Sequence, residues 1–262
     1  MRRRLLMAAR TRYTMPLSPS LERKFAALGA RFELTVLAAG RDGSSGRPDA
    51  RFRLVSPFPV RALDGPLFYM LFPWRLAREL RRRRPEAVLV QGAHETALAL
   101  AGRALARSKV KVILDLHGDP RAPTRLYGSG ARAVLAPLAD RLAGLAVRRC
   151  DAVRTLSPFT SDIVRGYGVE PAAEFPAFMD LAPFTARPPE PLPERPTLLF
   201  VGVLQRYKAF DVIARAWRLA APRVPDAGLH VVGRGPLVTL VDELVRDFPG
   251  RVRHTEELPT EG

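Results

Sequence analysis

The sequence predicts an α/β protein with a mainly parallel sheet, and three observations predict it. Strand-length apolar runs alternate with segments of helical spacing along the whole chain. Hydrophobic residues make up 47% of the 262 positions, the share of a globular protein with a real core. The single cysteine, Cys150, can form no disulfide within the chain, so oxidative stapling is not how this fold is held.

The first strand is expected at Arg4–Ala9. The apolar run after MRRR imitates the start of a signal peptide, but Arg10 interrupts it too early. Further strands are expected at Phe32–Ala38, Phe52–Val55, Ala87–Val90, Val110–Leu114 and Ala152–Leu156. Between them, helical spacing marks Ser20–Leu28, Leu67–Arg84, Glu95–Arg107, Ala131–Arg149 and Pro158–Gly166. No stretch approaches the roughly 18 apolar residues of a membrane-spanning helix. No internal repeat points to a solenoid.

From Ala186 to Pro196 the chain reads ARPPEPLPERP, whose prolines favour an extended, semi-rigid spacer. It separates an N-terminal domain, 1–185, from the beginning of a second α/β domain, 197–262. There a strand is expected at Thr197–Val201, a helix at Phe210–Ala221, a strand at Leu229–Val232, a helix at Pro236–Phe248 and a short strand at Val252. Two βα units are fewer than a free-standing parallel sheet needs, so the second domain is expected to be incomplete.

The net charge of +16 is unevenly spread: residues 1–185 carry 31 basic and 16 acidic side chains, residues 186–262 carry 11 and 10. Only four of the 42 basic residues are lysines. A basic first domain suits an anionic partner: a membrane face, nucleic acid or an acidic substrate. Only 8% of residues are aromatic, and no basic-aromatic interleaving resembles a single-strand platform, which argues against specific nucleic-acid binding.

The stretch LLFVGVLQRYKAFDVIARAW, 198–217, reads as a strand, Gly202, a loop carrying Arg206 and Lys208, and an amphipathic helix. A strand feeding a helix through glycine places backbone N–H groups and the positive end of a helix dipole at the carboxyl edge of a sheet. Two added cations make phosphate the expected occupant. The spacing is not that of a Walker loop, which needs GxxxxGK[ST]. Nor is there a dinucleotide fingerprint, since VVGRGPLV has Val at position 238 where a third glycine belongs.

The block FVGVLQRYKAFDVIARAWRLAAPRVPDAGLHVVGRGPL, 200–237, resembles the donor-binding half of the retaining GT-B glycosyltransferases of glycosyltransferase family 4. The order of a basic first domain, the SPFTSDIVRGYGV segment, the proline-rich linker and this block is similar to the family's too. The resemblance implies two Rossmann-like doubly wound domains, the second incomplete here. It implies transfer of a sugar from a UDP- or GDP-sugar to a glycan or lipid-linked acceptor with retention of configuration, needing neither metal nor cofactor.

By that resemblance Gly202 and Lys208 would contact the donor diphosphate, with Arg206 a second cation for the charge that grows on the leaving oxygen. Gly233, Arg234 and Gly235 would line the nucleotide side. His117, in ILDLHGD, would lie on the acceptor-domain side, near the transferred sugar. Ser157 is a weaker candidate, since capping a helix is its commoner role. His94, His230 and His254 read as structural, and four scattered histidines make no metal-site spacing.

The chain departs from the family pattern in four places. Val203 stands where arginine is usual, and Ala209 where glycine is usual. The opening loop ARTRYTMPLSPS lacks a glycine pair. The family's paired glutamates would lie beyond Gly262, so this chain is expected to bind donor weakly and transfer little or no sugar. The expected setting is cytoplasmic, at the inner membrane face if LFYMLFPW (67–74) and the RLARELRRRR that follows lie on anionic lipid. The competing reading is a non-catalytic protein that binds nucleic acid or anionic membrane through its basic first domain.

Overall fold

The computed structural model of the protein describes residues 2–40, 49–122, 130–179, 181–186 and 188–256. It divides into two compact units, Met1–Leu181 and Ala182–Gly262.

The first unit runs β1 (Arg3–Tyr13), α1 (Pro19–Arg31), β2 (Phe32–Gly40), β3 (Phe52–Val55), α2 (Arg61–Arg83), β4 (Ala87–Gln91), α3 (Ala93–Ala106), β5 (Lys111–Leu116), α4 (Gly130–Arg149), β6 (Ala152–Thr155), α5 (Pro158–Arg165) and β7 (Ala173–Glu174). All seven strands are parallel, in the order β3-β2-β1-β4-β5-β6-β7. The doubly wound character follows from alternation along the central strands. Leu6 and Ala8 of β1 join Phe68, Phe72, Leu76 and Leu80 of α2 in one core. Leu34, Val36 and Ala38 of β2 face the other way, toward Phe25 of α1 and Phe52. Leu114, Leu116 and Val153 pack with Val147 of α4 and Val164 of α5.

The second unit runs α6 (Ala182–Thr185), β8 (Thr197–Val201), a 3₁₀ turn (Arg206–Lys208), α7 (Phe210–Ala220), β9 (Gly228–Val232), α8 (Val238–Asp247) and β10 (Val252–Thr255). Its parallel sheet has the order β10-β9-β8. Phe210, Ala214 and Trp217, spaced for one helix face, pack with Val241 and Leu244 of α8 over Leu229 and Val231. The proline-rich stretch holds no helix or strand in its described residues beyond α6.

Three sequence expectations need correction. β1 does not stop at Ala9 but continues to Tyr13, so the first five of the twelve residues of the expected opening loop are strand. Its pairing with β2 shifts between Ala8 and Arg12, and Tyr13 is anchored edge-on against Phe25 and Phe52. α2 begins at Arg61 rather than Leu67, passing through Pro66 and Pro73. Each proline removes one ladder donor, yet the row Phe68-Phe72-Leu76-Leu80 is buried whole and outweighs that loss. β7 and α6 were not anticipated; two and four residues are too few to carry a periodic signal.

Candidate functional site

In an open parallel sheet, ligands collect beyond the carboxyl ends of the strands where the winding reverses, because neighbouring loops there diverge. Here β1 has β2 on one side and β4 on the other, so the reversal falls between β1 and β4. A cleft of about 490 Å³ lies there, lined by Thr11 of β1, Gln91 of β4, His117 just past β5, Tyr69 of α2, and His94 and Glu95 in the first turn of α3.

A chain of polar contacts crosses this cleft. The Thr11 hydroxyl donates to Gln91 Oε1 at 2.9 Å, and Gln91 Nε2 lies over the His117 ring, 2.9 Å from Nδ1 and 3.2 Å from Nε2. His117 Nε2 in turn meets Asp115 Oδ2 at 2.9 Å. A carboxylate can only accept, so Nε2 carries the proton and Nδ1 is the acceptor. Asp115 is further held by Arg154, whose NH1 reaches Oδ1 at 2.5 Å. Burial would raise the Asp115 carboxyl, but the bonds from His117 and Arg154 outweigh it and keep it below its ordinary value. Arg154 also donates to the carbonyls of Phe175 and Pro176 and stacks over the Phe175 ring at 4.0 Å.

Beside the chain stands a second polar wall. Arg10 donates to Asp64 Oδ2 at 2.9 Å, and Arg12 reaches the same oxygen at 2.5 Å. The Phe58 amide donates to Asp64 Oδ1 at 2.9 Å and, with the two arginines, brings the carboxyl down to about 2. Tyr69 donates to Glu95 Oε1 at 2.9 Å. Burial and the Glu95 carboxylate push the phenol well above its usual range, so it stays a donor. His94, which the sequence left as structural, has a buried Nε2 with no partner among the described residues.

In the second unit, two strand-end loops lie backbone to backbone. Gly202 N donates to Val232 O at 3.0 Å, Leu204 N to Arg234 O at 2.9 Å, and Leu237 N to Leu204 O at 3.1 Å. A Cβ at Gly233 would overlap the Gly202 carbonyl oxygen, and one at Gly235 the Leu204 carbonyl oxygen. These glycines are therefore required by close packing of the two loops. His254 donates from Nε2 to the Gly233 carbonyl at 2.9 Å and braces the loop from β10.

Gly202 differs. Its backbone does not need glycine, and a Cβ there would meet only the Phe200 ring, at 3.6 Å. Arg206 and Lys208 stand exposed on the 3₁₀ turn, with Lys208 Nζ 5.4 Å from the Tyr207 ring centroid. Ala209 enters α7 in the left-handed region, at φ 53°, with no side-chain cap over the helix start. The structure thus gathers Gly202, Arg206, Lys208, Gly233, Arg234 and Gly235 on adjoining loops of one unit, and places His117 in the cleft of the other. Ser157 caps α5 in a reciprocal pair with Thr160. His230 bonds Thr255 Oγ1 at 2.9 Å inside the small sheet.

Sequence reasoning missed Thr11, Gln91, Asp115, Tyr69 and Glu95. A usable signal existed for the first two: each sits at the carboxyl end of a strand flanking the reversal point, once strand order is known.

Residues 20–175 match the family model Glycosyltransferase Family 4. No curated protein sequence matches the chain. Among solved structures, the apo form of the lipopolysaccharide outer core galactosyltransferase WaaB aligns at TM-score 0.60 and 13% identity, over 97% of this chain and 68% of its own. Sucrose-phosphate synthase from Thermosynechococcus elongatus aligns at 0.67 and 12%, over 98% and 71%. Anabaena HepE in complex with UDP-glucose aligns at 0.58 and 12%, over 97% and 69%. At these identities the likeness is one of fold. The family match spans β2 to β7 of the first unit and the cleft walls that α2, β4, α3 and β5 supply, and the chain belongs to glycosyltransferase family 4, with the GT-B fold.

Proposed function

We propose that the protein handles a UDP- or GDP-sugar and passes its sugar to a hydroxyl of a glycan or lipid-linked acceptor, with retention of configuration. The observation that carries the donor assignment is Gly202: the fold does not require glycine there, yet the residue sits at a strand end beside two exposed cations. A glycine kept where packing tolerates a side chain suits close approach of a ligand to the backbone. On this reading the donor diphosphate approaches the side-chain-free face of Gly202, whose N–H is already given to the Val232 carbonyl, and is held by Lys208; Arg206 adds a second positive charge, and the Gly233–Gly235 loop borders the nucleotide.

As the bond from the anomeric carbon to the diphosphate oxygen breaks, its electron pair leaves with the nucleoside diphosphate. The acceptor oxygen bonds the same carbon and gives its proton to the departing diphosphate, whose oxygen has just gained negative charge. Cations fixed beside the leaving oxygen stabilise charge that is greater in the transition state than in the ground state. His117 would accept a sugar hydroxyl at Nδ1, beside which the Gln91 amide lies. The family match supports this reading over a non-catalytic anion binder.

Thermal unfolding of the chain with UDP-glucose and with GDP-glucose tests it. Saturating donor of the right nucleotide should raise the transition by a few degrees, since a ligand at about 100 times its Kd adds about 2.7 kcal/mol. Lys208→Ala should remove the shift. No shift with either nucleotide, or one that Lys208→Ala leaves intact, would count against the assignment.

A further inference from the structure

Through β5 the sequence reads ILDLHGD, and the step of two from Asp115 to His117 sets both side chains on one side of an extended chain. Arg154 is the register partner of Asp115 on β6. His117 lines the cleft between β1 and β4, with 36% of its side chain exposed, whereas Asp115 is buried and does not line it. Anything Asp115 does for a ligand in that cleft must pass through the imidazole.

The use of its two oxygens shows what the carboxylate serves. A guanidinium that needed only a counter-charge would take both oxygens in a parallel fork. Arg154 takes Oδ1 alone, and its Nε is buried with no partner among the described residues. Its NH2 group donates to the Phe175 and Pro176 carbonyls instead, and its plane stacks on the Phe175 ring. Backbone groups thus pin Arg154, Arg154 pins the carboxylate, and Oδ2 is left turned to His117 Nε2. The Gln91 amide nitrogen is 2.9 Å from Nδ1 and 3.2 Å from Nε2 of the same ring. A group so near to both ring nitrogens stands over the ring face, out of line with either lone pair. Among the described residues no donor lies in line with Nδ1, so its lone pair is left for a ligand.

We propose that Asp115, pinned by Arg154, is the positioning residue of this site. It holds His117 as the Nε2–H tautomer and so keeps Nδ1 an acceptor for a hydroxyl of the transferred sugar. An amide in its place could present its nitrogen to the ring, draw the imidazole proton to Nδ1, and turn that acceptor into a donor. The contact with sugar rests on the donor assignment; the control of the tautomer does not.

Ring-nitrogen NMR of the full chain tests the tautomer, and with four histidines the spectrum is simple. The His117 signals, identified by their loss in His117→Ala, should show the neutral ring protonated at Nε2 alone. Asp115→Asn should bring the Nδ1–H form to about half of the population or more, while Gln91→Leu should leave the tautomer as it was. Unchanged His94 signals in both variants would show that the first unit is folded, and the reading of the unaltered chain needs no variant at all. Titration with UDP-glucose and GDP-glucose tests the consequence. His117→Ala and Asp115→Asn should each weaken binding about three- to tenfold, the worth of one hydrogen bond. The double variant should lose no more than His117→Ala, because Asp115 acts through that ring; an aspartate that was merely structural would add its own loss. The proposal is overturned by an Nδ1–H ring in the unaltered chain, by a tautomer that follows Gln91→Leu rather than Asp115→Asn, or by losses that add in the double variant. Absence of nucleotide-sugar binding to the unaltered chain, or binding that survives Lys208→Ala, would overturn the sugar contact together with the donor assignment, while the tautomer result stands or falls by itself.

Discussion

The imidazole of His117 donates from Nε2 to Asp115 across 2.9 Å, and the other oxygen of the same carboxylate is taken by Arg154 at 2.5 Å. Asp115 thus joins the cleft at the end of β5 to the loop after β7, where Arg154 grips the Phe175 and Pro176 carbonyls.

This shared carboxylate makes acid stability the first prediction. Its folded-state value is held down, so its contribution is fully present above the ordinary carboxylate value of 3.8 and fades as pH falls through the lower folded value. Asp115→Asn should cost about 2–4 kcal/mol near neutral pH, because Arg154 loses its charge partner inside the sheet. It should also flatten the acid limb below about pH 4. Urea unfolding across a pH series reads both effects. A variant whose acid limb matches the parent's would show that the carboxylate is not what couples these loops to pH.

The two kinds of glycine in the second unit predict opposite outcomes. Gly233→Ala drives a methyl group into the Gly202 carbonyl and should destabilise that unit by about 3 kcal/mol or more. Gly202→Ala meets only an aromatic ring at 3.6 Å and should change stability by less than about 1 kcal/mol. If the proposed donor site is right, the same quiet substitution weakens nucleotide-sugar binding. Chemical denaturation and a donor titration on both variants separate the two roles.

Much of the fold was legible in the sequence, and particular residues show why some of it was not. Phe210, Ala214 and Trp217 announce α7 by spacing alone, and the apolar run in β2 announces a buried strand. Pro66 concealed the start of α2, because a rule about lost donors cannot see the core that Phe68 and Phe72 fill; Pro73 lay inside the expected helix, where its carbonyl lies against Gly102 of α3. The relay from Thr11 through Gln91 to His117 spans separations of 80 and 26 residues. It exists only because β1, β4 and β5 are neighbours, an ordering that no local pattern encodes. The glycines at 202, 233 and 235 were visible as letters, but which of them the backbone requires depends on how two loops stack.

Arg206 and Lys208 stand two positions apart on one exposed turn, and the donor assignment predicts how their removal combines. If both meet one diphosphate, each alanine substitution should weaken donor binding about 10- to 100-fold. The double variant should lose less than the sum of the two in free energy, since both act on the same charge. Their exposure means that thermal stability without donor should scarcely move. Strict additivity in calorimetric titrations would instead indicate two separate contacts.

Asp64 supplies the last prediction. It accepts the Phe58 amide and two guanidinium groups, which tie the approach to α2 to the far end of β1. Asp64→Asn keeps an acceptor for Phe58 but leaves Arg10 and Arg12 facing each other without a counter-charge. The expected loss is about 1–3 kcal/mol at neutral pH. Because the carboxyl is brought down to about 2, the parent should keep this contribution above the ordinary value of 3.8 and lose it only as pH falls toward 2. The gap between parent and variant in urea midpoint should therefore stay constant from neutral pH to about 4 and close below it. A gap that closes nearer neutrality would mean that Asp64 is not held by these partners in solution.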